Sequence, residues 1–186
     1  MGHALLTQLL LPTLLRTATP STSPPRVVVV ASHGHVNAPR GGLQLAGCTS
    51  PQAELSFLSR YGQSKLANIL FARSLATRYP QLLSCSVHPG AVMTPVTRGF
   101  QQAHPWLTQV LLPPVSLFLT SVQKGARNQL WACTAAGPES GEFYDPVAKP
   151  GETSKEADSD RLADELWAWT TTELAKGGAP GWPDPS

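Results

Sequence analysis

Blocks of apolar and polar positions along the first half of the chain predict two helices and two strands. The leucine-rich residues 2–16 predict a helix in which Pro12 marks a kink or the end. The β-branched run at 26–32 predicts a short strand that is buried on both faces. A second helix is predicted over 58–79, and SCSVHPG at 84–90 predicts a second strand that stops at Pro-Gly.

The second half of the chain continues the alternation of helix and strand. Residues 94–136 predict helical pieces broken by prolines, and the stretch 124–135 is the clearest of them. Residues 141–146 predict a third short strand, and 156–176 predict an amphipathic helix with acidic residues early, as the helix dipole favours. This alternation predicts an α/β fold, a partial doubly wound parallel sheet with helices on both faces.

Composition indicates one ordinary domain and excludes several classes of protein. The 186 residues suit a single core, and a net charge of +2 with 14% charged residues indicates no nucleic-acid or polybasic membrane surface. Three widely spaced cysteines, without a CxxC pair or histidines at zinc spacing, predict free thiols, no metal site and a cytoplasmic location. The first 23 residues are too interrupted to span a bilayer, but organelle targeting stays open.

Three polar residues lie where a parallel sheet usually forms its binding or catalytic site. Ser32 ends the first strand, and Tyr61 begins the following helix with Lys65 one turn later. A nearby ammonium lowers the pKa of a tyrosine, and a serine hydroxyl can hold a carbonyl or alcohol oxygen by a hydrogen bond. The three residues together predict carbonyl–alcohol interconversion.

The segments that carry these residues resemble the short-chain dehydrogenase/reductase family, particularly its retinol-dehydrogenase-like and fungal members. VVVVASHGH is similar to the serine-bearing strand end of the family, YGQSKLANILFARSLA to its Tyr-x-x-x-Lys helix, and SCSVHPGAVMT to the strand and Pro-Gly turn beside the nicotinamide. The resemblance runs from Gly2 to about Ala175. It implies that 1–176 form the C-terminal part of a single NAD(P)-binding Rossmann-like domain, followed by a flexible tail at 177–186.

The resemblance also implies a role for each matched residue. Ser32 would orient the substrate oxygen, Tyr61 would be the catalytic acid/base, and Lys65 would lower the tyrosine pKa and bind the nicotinamide ribose. The stretch along the nicotinamide is matched by Pro89, Gly90, Val92 and Thr94. The implied cofactor is NADP or NAD, and the implied substrate is a small apolar carbonyl or alcohol. Homo-oligomer formation stays open.

Several parts of the family pattern have no match in this sequence. The Gly-rich TGxxxGxG turn that cradles the pyrophosphate is absent, as are the residue that chooses between NAD and NADP and the Asn-Ala-Gly strand. By the match of Gly2-His3 to N-x-x-G-H, the helix asparagine of the family would precede Met1. We therefore expect an N-terminally truncated form of the fold that, alone, binds dinucleotide weakly and is inactive.

Two other functions are compatible with the sequence. A non-catalytic remnant would act by association through the helices near 2–16 and 58–79. A serine hydrolase is disfavoured, because Val30 occupies the position where a nucleophile elbow needs glycine and a loop follows Ser32. The histidines of the loop and strand ends lack metal-site spacing, and His88 is the one placed to line the pocket.

Overall fold

A four-stranded sheet forms the centre of the fold, and a computed structural model describes it over residues 1–18, 23–91 and 121–185. The strands, in both chain and sheet order, are β1 (Arg26–Val30), β2 (Leu83–Val87), β3 (Phe143–Asp145) and β4 (Lys149–Pro150). β1, β2 and β3 are parallel, and β4 is antiparallel to β3. The described helices are α1 (Gly2–Thr17), α2 (Phe57–Arg78), α3 (Val122–Thr134) and α4 (Asp160–Lys176).

Alternate residues of β1 point into two different apolar clusters. Val27 and Val29 pack in the larger cluster, which also holds fully buried leucines of α2 and apolar residues of α1 and α4. Val28 packs in a smaller cluster on the other face, with Cys85 of β2 and Ala132 of α3. The alternation follows from the two-residue period of a strand. Helices therefore cover both faces of a mostly parallel sheet, and the predicted fold class is confirmed.

Burial of β1 differs from the expectation for residues 26–32. Its first three residues are half-buried, and Val30 keeps 41% of its surface exposed. Within the described residues β1 pairs with β2 alone, and an apolar groove lies between its other side and Leu6 and Leu10 of α1. The prediction of a strand buried on both faces is therefore wrong for β1, whereas Ser84 to Val87 of β2 are buried.

Capping serines explain where α2 and α4 begin. Ser56 accepts a hydrogen bond from the Ser59 amide and starts α2 within one residue of the predicted position. Ser159 caps α4 in the same way, so this helix begins at 160 rather than 156. Pro12 does not end α1, which continues to Thr17.

The C-terminal residues pack against α2 and α4. The Trp182 ring stacks on Trp167 with centroids 4.2 Å apart, and its indole N–H donates to the Thr171 hydroxyl at 2.8 Å. The Tyr79 hydroxyl donates to the Pro183 carbonyl at 2.8 Å. Ring stacking and hydrogen bonds hold Trp182 and Pro183 against the core, and flexibility of the tail 177–186 as a whole stays a prediction.

Some expectations fall on residues that the structure does not describe. The helical pieces predicted between 94 and 120, and the site residues Val92 and Thr94, lie outside the described ranges. The clearest predicted piece corresponds to α3 and is confirmed. Among the described helices, none combines the length and apolar character needed to cross a membrane.

Candidate active site

Ser32, Tyr61 and Lys65 lie together beyond the carboxyl end of β1. The Ser32 side chain is almost completely buried, and its Oγ accepts a hydrogen bond from the Gly34 amide at 3.1 Å. A Cβ placed on Gly34 would lie 2.5 Å from Cε1 of Tyr61 and 3.4 Å from Oγ of Ser32. The tyrosine ring and the serine hydroxyl therefore meet at this glycine. Lys65 completes the group, with its Nζ 5.6 Å from the Tyr61 ring centroid.

The start of α2 is held against the segment that carries Ser32. That segment, His33–Asn37, is a short 3₁₀ helix capped by Ser32. A Cβ on Gly62 would lie 2.6 Å from the backbone nitrogen of Ala38, which is closer than atoms normally approach. The absence of a side chain at Gly62 thus allows the two helices to touch, and this contact sets the position of Tyr61 relative to Ser32.

The last carbonyl of β1 connects Lys65 to the sheet. The Val30 oxygen accepts from Lys65 Nζ at 3.4 Å and from Asn68 Nδ2 at 3.0 Å. Burial lowers the pKa of Lys65 below its ordinary value, because desolvation disfavours the ammonium. Asn68 shares this carbonyl with Lys65, and the sequence analysis did not include it among the candidate site residues. Its signal was the helical spacing, since positions 61, 65 and 68 share one face of α2.

Two histidines and an aspartate meet at the same edge of the sheet. His33 Nε2 lies 2.6 Å from Oδ1 of Asp145, and the His33 and His88 rings are 4.9 Å apart in an edge-to-face arrangement. Burial, and after it the neighbouring His33, lowers the pKa of His88 from its ordinary value, while Asp145 acts in the opposite direction. The Nδ1 atom of His88 is buried and has no hydrogen-bond partner among the described residues. The structure thus brings together strand-end residues that the sequence left separate.

Pro89 and Gly90, which the sequence analysis predicts to contact the cofactor, follow β2 at the edge where Ser32 follows β1. Val30 pairs with Val87, so the residues after each strand emerge side by side. Asn128 of α3 stabilises this end, because its Nδ2 donates to the His88 carbonyl at 2.8 Å. The sequence analysis did not identify Asn128, since a lone asparagine within a helix gives no signal of its partners. No group of three or more ligating side chains suited to a metal ion occurs within the described ranges.

Comparison with known proteins finds relatives that share most of this chain. It is 34% identical over 193 residues to the short-chain dehydrogenase/reductase drtF of Aspergillus calidoustus, covering 95% of this chain and 59% of that protein. It is 37% identical over 175 residues to dehydrogenase/reductase SDR family member 13 of Bos taurus, covering 90% and 43%. Retinol dehydrogenase 12 of Mus musculus is 33% identical over 171 residues, covering 90% and 49%. The chain therefore spans about half the length of the curated relatives it matches.

The fold also has a counterpart among solved structures. A crystal structure of a protein from Mycobacterium paratuberculosis superposes with a TM-score of 0.63 at 27% sequence identity, covering 94% of this chain and 56% of that one. No family model matches the chain. The superposition supports the described sheet and helices as part of a Rossmann-like fold.

Proposed function

The chain belongs to the short-chain dehydrogenase/reductase family, and we propose that it serves the interconversion of a carbonyl and a secondary alcohol with NADP or NAD. The observation that carries this proposal is the meeting of Ser32 and Tyr61 at Gly34, with the Lys65 Nζ 5.6 Å from the Tyr61 ring centroid. These are the residue types that the chemistry needs, namely a hydroxyl to hold the oxygen, a phenol to move the proton and an ammonium beside the phenol.

Among the described residues, Ser32 and Lys65 keep the hydrogen-bonding capacity that their proposed roles require. Ser32 Oγ accepts from the Gly34 amide, which leaves its hydroxyl hydrogen available to a substrate oxygen. The Tyr61 hydroxyl donates its proton to that oxygen during reduction and takes it back during oxidation. The Lys65 ammonium stabilises the phenolate that remains, because opposite charges at short range favour the charged form.

The described residues fit a nicotinamide cofactor at this edge. Lys65 would bind the ribose, since the Val30 carbonyl accepts only one of the three ammonium hydrogens. Pro89 and Gly90 would lie along the nicotinamide, beside His88, whose Nδ1 has no hydrogen-bond partner among the described residues, and Val92 and Thr94 stay predictions. A bound nicotinamide supplies or accepts the hydride.

The proposed substrate is a small apolar carbonyl compound or alcohol. Retinol dehydrogenase 12, one of the relatives, is named for an apolar alcohol. The segment that carries Ser32 contains no Asp or Glu, and the Asp145 carboxylate at this edge lies 2.6 Å from Nε2 of His33. A panel of apolar aldehydes and ketones is therefore the appropriate first test.

Substitution of the proposed acid/base tests this function. Tyr61→Phe removes the transferable proton and keeps the ring, so we expect turnover with NADPH or NADH to fall at least about a thousandfold. Cofactor binding by calorimetry should stay nearly unchanged. The assay is run on a longer in-frame product with the upstream region restored, because the 186-residue chain alone is expected to be inactive. Tyr144→Phe is the matched control, because that hydroxyl accepts from the Glu139 amide away from the site.

One result would contradict the proposed role of Tyr61, and another would contradict the expectation of weak dinucleotide binding. Retained turnover in Tyr61→Phe would remove Tyr61 from the mechanism. The sequence also predicts weak dinucleotide binding by the 186-residue chain, because it contains no TGxxxGxG turn to hold the pyrophosphate. Micromolar binding of NADPH by this chain would show that prediction to be wrong.

A second candidate function is association with another chain. Three leucines of α1 keep half or more of their surface exposed: Leu6 at 58%, Leu9 at 55% and Leu10 at 50%. Contiguous exposed apolar side chains are typical of an interaction surface. This observation favours the non-catalytic alternative, in which the helices act by packing against a partner.

A further inference from the structure

His35 makes two side-chain hydrogen bonds that together fix its tautomer. Its Nδ1 lies 2.9 Å from the backbone carbonyl of Ser32, and its Nε2 lies 3.2 Å from the backbone nitrogen of Ser154. A carbonyl only accepts a hydrogen bond, and a backbone amide only donates one. Both bonds therefore exist together only when the hydrogen is on Nδ1 and Nε2 keeps its lone pair.

The surroundings of His35 keep the ring in this orientation. The residue is completely buried, and the edge-to-face contact with Phe143 has a centroid distance of 5.5 Å. Rotation of the ring would break both hydrogen bonds inside the protein, where an unpaired polar group costs more than a hydrogen bond normally contributes. The imidazole is thus a rigid connection between two backbone segments.

One of those segments carries the proposed substrate-orienting serine. The Ser32 carbonyl accepts from the backbone amide of His35 at 3.1 Å as well as from its ring. The other segment is the turn before α4, where the Ala157 amide donates to the Ser154 carbonyl at 2.9 Å. His35 therefore links the end of β1 to a turn whose Ser154 lies 119 residues after His35 in the chain.

We propose that His35 is a positioning residue for Ser32. Its Nδ1–H holds the Ser32 backbone, and its Nε2 fixes the ring to the Ser154 turn, so the serine hydroxyl keeps its place beside Gly34 and Tyr61. The catalytic meaning of this role rests on the proposed function, whereas the hydrogen bonds and their effect on Ser32 do not.

Imidazole ¹⁵N spectra of the 186-residue chain test the tautomer directly. We expect Nδ1 of His35 to resonate as a protonated nitrogen and Nε2 as an unprotonated one, without averaging between the two forms. The resonances are assigned by their loss in the His35 variants, and His3→Gln, at an exposed position of α1, is the control. The opposite tautomer, or an averaged signal, would overturn the proposal.

Two substitutions of His35 test its Nδ1 and Nε2 hydrogen bonds separately. His35→Asn keeps a donor near the position of Nδ1, and His35→Gln keeps an acceptor near the position of Nε2. In His35→Asn we expect the Ser154 amide to exchange its hydrogen about tenfold faster, with the Gly34 amide unchanged. In His35→Gln we expect the Gly34 amide, which donates to Ser32 Oγ, to shift while Ser154 stays protected.

The pattern across the two variants distinguishes positioning from general stability. Equal changes at both amides in both variants, or an unmoved Gly34 amide in His35→Gln, would overturn the positioning role. Where turnover is measurable, His35→Gln should lower kcat about tenfold with little change in KM, and His35→Asn should retain most of it. If Tyr61→Phe retains turnover, the proposed function fails, but the spectra still decide the inference about His35.

Discussion

Asn128 uses its entire amide group to join three parts of the fold. Its Nδ2 donates to the carbonyls of His88 at 2.8 Å and Tyr144 at 3.0 Å, and its Oδ1 accepts from the Ala148 amide at 3.1 Å. The side chain is completely buried. One residue of α3 therefore stabilises the ends of β2 and β3 and the turn that leads to β4.

Removal of this amide should destabilise the protein substantially. Asn128→Ala leaves the His88 carbonyl and the Ala148 amide without the side-chain partner they have now, so we expect the free energy of unfolding to fall by about 2–3 kcal/mol. Urea unfolding followed by circular dichroism measures the change. Asn37→Ala is the control, because Asn37 is exposed and makes one 3.3 Å hydrogen bond. A loss for Asn128→Ala no larger than that of the control would contradict the expectation.

His88 should make the stability of the fold depend on pH. Burial lowers its pKa from the ordinary 6.5 in the folded state, so below pH 6.5 the unfolded chain takes up a proton before the folded one does. Stability is therefore complete above pH 6.5 and falls as the pH drops through 6.5 toward the folded-state pKa. We expect the urea midpoint to decrease between about pH 7.5 and about pH 5.5, and to decrease less in His88→Gln. An equal decrease in both proteins would assign the effect to other groups.

The sequence suggests candidate site residues when their neighbours are near in the chain. Tyr61 and Lys65 could be named together because one helical turn separates them, and Ser32 because it directly follows a strand. The contact between His35 and Ser154 crosses 119 residues, and Asn68 and Val30 are 38 residues apart. Such hydrogen bonds depend on how the elements pack, which no local pattern encodes.

At the scale of elements, the packing of α2 against α4 includes residues beyond the last helix. Phe71 of α2 lies 6.1 Å from the rings of both Trp167 and Trp182, measured between centroids. Ion pairs also cross between the helices, such as Arg73 with Asp160 at 3.1 Å. The aromatic group is partly buried, whereas the Asp160 carboxylate is largely exposed, so the aromatic contacts should dominate.

Trp182→Ala tests this ranking of interactions. The substitution removes a partly buried ring and its hydrogen bond to Thr171, so we expect a loss of about 2–3 kcal/mol in the free energy of unfolding. Arg73→Gln removes ion pairs with exposed carboxylates and should cost less than about 1 kcal/mol. Both values come from urea unfolding monitored by circular dichroism. A larger loss in Arg73→Gln than in Trp182→Ala would show that the ion pairs contribute more to stability than the aromatic contacts.

The difference between local sequence signals and tertiary contacts explains which elements the sequence predicted well. α2 carries a strong helical pattern that ends before Pro80, and β2 ends before the Pro-Gly break at 89–90, and the structure places both close to the predicted ranges. β4 has two residues, too few for any periodicity, and it forms because Tyr144 pairs with Pro150. Trp182 lies in a Gly/Pro-rich stretch that indicates a flexible tail, and tertiary contacts override that indication.

At the scale of the whole molecule, one side of the fold combines two apolar features. The open side of β1 within the described residues faces the same groove as Leu6 and Leu10, two of the exposed leucines of α1. An unpaired strand edge beside exposed apolar side chains favours association with another chain. The net charge of +2 is small, so electrostatic repulsion opposes such association weakly.

We therefore expect the 186-residue chain to associate in a concentration-dependent way through this groove. Light scattering after size-exclusion chromatography should show a mass above the 19.8 kDa of one chain at high concentration. Replacing Leu6 and Leu10 together by Glu introduces charge into the groove and should shift the protein toward the monomer. Leu130→Glu is the control, because Leu130 lies on α3 and is 61% exposed. A monomer at every concentration, or equal shifts in both variants, would exclude the groove as the interface, and the second candidate function would then lose its support.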